Sequence, residues 1–327
     1  LVRSRGLGDV YKRQLYVTRE QPTAPSAKKK LVVLPFDNIG PPEDEYFADG
    51  ITDEIIARIT GVSELGVIAR NSAIQYKKTT KSLKQIGQEL GVDYVLSGTI
   101  RWQKTPGSPG RVRITPTLVK VSDATHMWAE IYDQPITGVF EVQSDISKKV
   151  VEGLGVALRG NERKGLEARP TQNAEAYDYY LRANEYYYRG RDTEKTLRLA
   201  IDNYEKAASL DPHFLRAYAR LARAQGAYYW YYFDHAPERI FKTKEAVDRA
   251  LKIDPDDPET HIALGVYFYY CQLDYERALN HFALALKKRP ADSVALEYVA
   301  YVKRRQGKMN ETVENLNQAA EMDPQSN

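Results

Sequence analysis

Residues 258–290 read PETHIALGVYFYYCQLDYERALNHFALALKKRP, and the positions that decide the reading are Leu264-Gly265, Phe268, Ala278, Phe282, Ala285 and Pro290. Two helical segments are expected here, one on each side of a short turn. Gly265 in the first lets a neighbouring helix press against bare backbone, while Ala278 and Ala285 leave room beside the bulky Phe282 in the second. Working outward, prolines recur at Pro212, Pro255, Pro290 and Pro324, the first interval longer than the other two, which are nearly equal. Five residues before each stands Ala207, Ala250, Ala285 or Ala319, and eight before it stands Tyr204, Val247, Phe282 or Leu316. Asp211, Asp254 and Asp323 precede three of the prolines, which suits a turn that begins as a helix ends. This is an array of helix-turn-helix units in which each unit buries its apolar face only against its neighbours.

A period of about 34 residues in this register resembles the tetratricopeptide family. The resemblance covers 173–327, with units closing near 212, 255, 290 and 324. It implies an all-α solenoid with a concave face built by the first helix of each pair. It also implies a peptide or protein partner on that face. The family's groove positions, carried over by register, fall on Arg216, Arg223, Tyr269, Tyr270, Arg304 and Arg305. Arginines with tyrosines favour a segment bearing carboxylates, through forked hydrogen bonds and stacking. The competing account of Arg304 and Arg305 is a solvated helix end near Gly307. Two units depart from the pattern: the first has an extra loop at Arg189–Glu194, and the second carries Tyr228-Tyr229-Trp230-Tyr231-Tyr232-Phe233 in place of a tight turn. Those rings could cage a cation, yet aromatics at the end of a repeat helix more commonly pack on the next unit.

The amino-terminal part has a different rhythm. Leu31-Val32-Val33-Leu34-Pro35 reads as a strand buried on both faces. Phe47, Ile51, Ile55 and Ile59 then mark an amphipathic helix, with Asp49, Asp53 and Glu54 toward its positive end. Val67-Ile68-Ala69 is a second short strand, and Leu83, Ile86 and Leu90 mark a second helix stopped by Gly91. Asp93–Arg101 and Arg111–Val121 form a hairpin across Thr105–Gly110, with Pro116 favouring an edge or a bulge. A stretch from His126 to Tyr132 and a helix through Val142, Ile146, Val150, Leu154 and Leu158 complete an α/β layer over 28–160, joined to the repeats by a linker at 161–172.

These segments resemble the TolB amino-terminal-like domain. The matching stretches are Val33-Leu34-Pro35-Phe36, Tyr46-Phe47-Ala48-Asp49-Gly50-Ile51, Ile68-Ala69-Arg70-Asn71-Ser72, Glu89-Leu90-Gly91-Val92-Asp93-Tyr94-Val95-Leu96-Ser97-Gly98 and Trp128-Ala129-Glu130. The resemblance implies a non-catalytic domain ahead of repeats in bacterial regulatory proteins. Such a domain is often attached to a nucleotide cyclase, a kinase or a winged-helix module, sometimes through a membrane helix. The expected role is therefore a protein-binding scaffold, with a sensory or assembly region of a larger enzyme or of a membrane-anchored transcription regulator as the alternative. Localisation is left open by the sequence, including tethering to the inner membrane through an upstream segment.

Bulk properties narrow the classes. The chain is 43% hydrophobic and 28% charged, the balance of a globular protein. With 47 Lys and Arg against 44 Asp and Glu, the net charge of +3 gives no reason to expect nucleic acid as a ligand. Cys271 is the only cysteine, and His126, His213, His235, His261 and His281 lack metal-ligand spacing. No cofactor, metal or catalytic residue is expected, since the chain has no phosphate-binding glycine loop, nucleophile elbow or zinc-protease helix. Asp49 and Asp53, at i and i+4, could pair as acids but are accounted for by the helix dipole; Arg70, Asn71 and Ser72 could meet a phosphate but equally suit a strand-ending turn. No apolar run approaches the roughly 18 residues of a membrane span. Residues 1–27 are read as an adapter-like leader followed by a Pro- and Lys-rich coil.

Overall fold

Strand β1 (Lys29–Val33) alternates its side chains between two cores, which is why its apolar run is unbroken. Leu31 and Val33 enter one cluster with Ile51, Ile55 and Ile146, while Val32 and Leu34 enter another with Ile86, Leu90 and Val95. The computed structural model describes residues 28–105, 108–190 and 193–325, apart from the side chains of 104, 105, 108 and 109. The leader and coil read at 1–27, Pro106-Gly107 of the expected turn and Arg191-Asp192 of the expected loop lie outside the described residues.

The sheet is mixed. β3 (Leu65–Val67), β1 and β4 (Tyr94–Thr105) run parallel, and β2 (Asp37–Asn38) extends the β1 edge along β4. β5 (Ser108–Lys120) returns antiparallel beside β4, and β6 (Thr125–Ala129) and β7 (Tyr132–Pro135) pair consecutively with β5. Pro116 is therefore not on an edge strand. It lies between the β6 and β7 ladders, where the Pro116 carbonyl accepts from Glu130 N–H. Its missing N–H thus falls at a break in the pairing. Opposite it, Gly98 is required, because a Cβ there would lie 2.8 Å from the Thr115 carbonyl oxygen.

Helices α1 (Glu45–Thr60) and α4 (Val139–Gly153) cover one face of the sheet. A short α2 (Arg70–Ile74), where a turn was expected, follows β3, and α3 (Leu83–Leu90) covers the other face. Ser82 and Gln85 form a capping box on α3, and Gly91 at φ +62° ends it, the left-handed stop that glycine adopts without strain. The segment 161–172, expected as linker, carries α5 (Gly160–Glu167) from its start: Leu166 is buried, and the Glu162 carboxylate accepts from Ser63 N–H and hydroxyl at 2.9 and 2.8 Å.

Four helical hairpins follow among the described residues: α6 (Ala174–Gly190) with α7 (Glu194–Leu210), α8 (Leu215–Trp230) with α9 (Pro237–Ile253), α10 (Pro258–Val266) with α11 (Tyr275–Lys288), and α12 (Ser293–Arg305) with α13 (Met309–Met322). A π-helical turn at Tyr267–Gln272 prolongs α10. Ala207, Ala250, Ala285 and Ala319 are all buried at the hairpin contacts, and a Cβ on Gly265 would meet the Phe282 ring at 2.3 Å. Tyr204, Val247 and Phe282 are buried as their register predicts, but Leu316, on the last helix among the described residues, is 39% exposed. The long interval from Pro212 to Pro255 is absorbed by α8, α9 and the aromatic turn between them.

The first hairpin is fused to the α/β layer by apolar packing. Gly50 in α1 admits Leu181 of α6 so closely that a Cβ would lie 2.6 Å away, and Phe140 meets Tyr177 edge-on at 4.5 Å. The larger core cluster runs without interruption from β1 through α1 and α6 into the later hairpins.

Candidate functional site

The first helices of the hairpins, α6, α8, α10 and α12, line one side of the array, and its two halves differ in chemistry. At their amino-terminal ends, facing α1, a cluster of arginines surrounds few carboxylates. Arg216, Arg220 and Arg223 stand at i, i+4 and i+7 of α8, hence on one stripe. Glu259, in the first turn of α10, faces them: Arg289 is 3.0 Å away, Arg220 3.4 Å and Arg223 3.8 Å. Burial alone would raise the Glu259 pKa, but Arg220, Arg289 and Arg223 outweigh it and hold the carboxyl well below its usual range, as close positive charges do for a carboxylate. Arg223 is only 2% exposed and lies between the Tyr187 and Tyr298 rings at 5.7 and 6.0 Å.

From the opposite side α1 contributes Glu54, which pairs with Arg216 and accepts a long 3.4 Å bond from the Tyr180 hydroxyl. Asp53 pairs with Arg70 at 2.7 Å, and Asp49 with Lys77 at 2.6 Å. The α1 carboxylates, read from the sequence as complements to a helix dipole, thus sit in the second and third turns as ion-pair partners instead. Burial lifts the Asp53 pKa to about 6 against the pull of Arg70. A crevice of about 120 Å³ remains between α1, α2 and the array, bounded by Arg70, Arg216, Arg220, Glu259 and Arg289.

At the carboxy-terminal ends of the same helices the face is aromatic and basic. Trp230 stacks on Tyr270 at 4.7 Å and leans on Tyr269 at 5.1 Å. Arg305 lies 5.2 Å over the Trp230 ring and Arg304 5.7 Å over Tyr301, both arginines exposed. The aromatic run of the second hairpin mostly packs: Tyr228 is buried, and Tyr229 and Tyr232 stack on His235 at 3.8 and 4.2 Å. Tyr232 nonetheless remains 75% exposed.

The six residues read from the sequence as one groove are therefore divided. Arg216 and Arg223 are engaged inside the molecule. Tyr269 and Tyr270 are 2% and 8% exposed and serve as the floor under Trp230. Arg304 and Arg305 stand at the surface. Sequence reasoning missed Arg220, Arg289 and Glu259, and it read Trp230 only as part of the aromatic run. The i+4 spacing from Arg216 pointed to Arg220, but Glu259 and Arg289 lie in the next hairpin and join the cluster only through stacking.

No family model matches the chain. The chain is similar to a protein of Rhizobium meliloti (strain 1021) named "Putative adenylate cyclase 3", with 32% identity over 254 residues, covering 76% of this chain and 42% of that relative. It spans, then, less than half the length of the curated relative it matches. Among solved structures it is similar to TTC0263, a thermophilic TPR protein of Thermus thermophilus, at 15% identity and a TM-score of 0.40, covering 58% of this chain and 89% of that one. It is also similar to TolB from Acinetobacter baumannii, at 18% identity and a TM-score of 0.30, covering 40% of this chain and 29% of that one. Among the described residues no helix is long and apolar enough to cross a membrane.

Proposed function

We propose that this chain is a non-catalytic interaction region of a bacterial signalling or regulatory protein, and that its outer wall of Trp230, Tyr301, Arg304 and Arg305 receives a carboxylate-bearing segment of a protein partner. The observation that carries the reading is the seating of two exposed guanidinium groups on aromatic faces, Arg305 over Trp230 at 5.2 Å and Arg304 over Tyr301 at 5.7 Å. The rings hold the forks in place, with Arg305 also hydrogen-bonded to the Tyr269 hydroxyl, and both guanidinium groups are exposed to an incoming carboxylate. The α/β layer is read as TolB-like and as the platform on which the array is built.

An array of short acidic and neutral synthetic peptides, probed with the labelled protein at low salt, tests this. Acidic members are expected to be retained and to be lost at least tenfold when Arg304→Glu and Arg305→Glu are combined. Retention that the double substitution leaves unchanged would remove the outer wall from the proposal.

The similarity to the rhizobial protein favours a second, compatible reading, in which this region serves the assembly or regulation of a nucleotide cyclase, held near the inner membrane by a segment outside this chain. Cyclic AMP formation by the full-length gene product, compared with a version lacking residues 28–325, checks it: equal specific activity and equal oligomeric state would dispose of the reading.

A further inference from the structure

The array leaves the α/β layer at α6 and comes back to it at the end of α13. Four polar contacts make the return. Ala69 N–H donates to the Met322 carbonyl at 2.6 Å, and Gln325 N–H donates to the Ser72 hydroxyl at 2.7 Å. Asp323, 1% exposed, accepts from the Ser72 hydroxyl at 2.6 Å and from the Asn71 amide at 3.0 Å. Between departure and return, Glu54 of α1 occupies Arg216. The two junctions are unlike. The departure is a continuous apolar interface through Gly50, Leu181, Phe140 and Tyr177, whereas the return rests on one turn of chain and its hydrogen bonds, with Met322 as its apolar part. Local opening follows the junction with little buried apolar surface, so the return opens first.

We infer that the solenoid is a ring closed in cis by Asp323, and that α1 stands in the inner half of the groove for an acidic helix of a partner, which gains Arg216 only when the ring opens. Arg216 of the α8 stripe is matched here by Glu54, presented from a helix, and a carboxylate on a helix in trans satisfies the same guanidinium group. The cis contact then sets a threshold, because the partner's apparent affinity is reduced by the closed fraction. The gating part of this inference rests on the proposed acidic partner; the closure does not.

Closure is read without any ligand. In a Cys271→Ser background, spin labels on Glu64→Cys and Glu321→Cys report the distance across the return junction by electron spin resonance. A single narrow distance is expected, with a second, longer population appearing on Asp323→Ala and on Ser72→Ala while the helical signal is unchanged. A broad distribution in the parent, or no change in either variant, overturns the closure. Hexaglutamate, titrated at low salt into proteins that also carry Arg304→Glu and Arg305→Glu, reads the gate apart from the outer wall. Asp323→Ala is expected to bind it at least fivefold more tightly than its Asp323 parent. Opening without that gain overturns the gating and leaves the ring.

Discussion

The inner and outer halves of the array's concave side use the same residue types to opposite ends. In the inner half, Arg220, Arg223 and Arg289 converge on the buried Glu259, and Arg216 is held by Glu54 of another layer. In the outer half, Arg304 and Arg305 rest on rings and face solvent. An arginine is thus a buried structural ion or an exposed group according to whether a carboxylate is delivered to it by the fold. Alignment along a repeat register does not carry that information.

The largest expected effect tests the inner half. Glu259→Ala leaves three arginines without their shared carboxylate and should lower stability by about 3–5 kcal/mol, the range for breaking a buried pair on one side. Combined Arg304→Gln and Arg305→Gln should stay within about 0.5 kcal/mol, as exposed substitutions do. Chemical denaturation of the two proteins side by side measures the contrast, and equal losses would erase the distinction between the halves.

An intermediate effect belongs to the wall itself. Trp230→Ala removes the ring that stacks on Tyr270 and carries Arg305. A cost of roughly 2 kcal/mol is expected, below that of a fully buried aromatic. The reduction follows from the indole being only half-buried. A melting point unchanged within error would mean that the stack is incidental.

A further effect is a pH dependence confined to the inner half. The Asp53 carboxyl titrates near 6 in the folded chain, above the ordinary aspartate value of 3.8. Between those values the folded chain keeps a proton that the unfolded chain has released, so this group's contribution favours folding below about pH 4, declines as pH rises to about 6, and is constant beyond. Relative to the parent, Asp53→Asn should lose that decline. A stability difference between the two proteins that stays flat from pH 4 to 7 would contradict it.

The hairpins were legible because their signals are local and periodic. Gly265 against Phe282 and the buried alanines at 207, 250, 285 and 319 need only the register of one unit on the next. Leu316 breaks the rule: on α13, the last helix among the described residues, it is 39% exposed. In the α/β layer, the doubly buried β1 and the Gly91 cap were plain from composition. The place of Pro116 was not, since it depends on where two later strands divide along β5.

Of the candidate site, the sequence alone identified the residue types and three of the helices that carry them, because periodicity determines which side chains share a stripe. Which of those side chains remain available to a partner was decided by tertiary structure. Glu54 reaches Arg216, separated by 162 residues, and Asp323 reaches Ser72 across 251, only because the array curves back onto the layer it starts from. Pairing of charges follows distance in space, and at such separations the chain sets that distance through the accumulated rotation of every hairpin between.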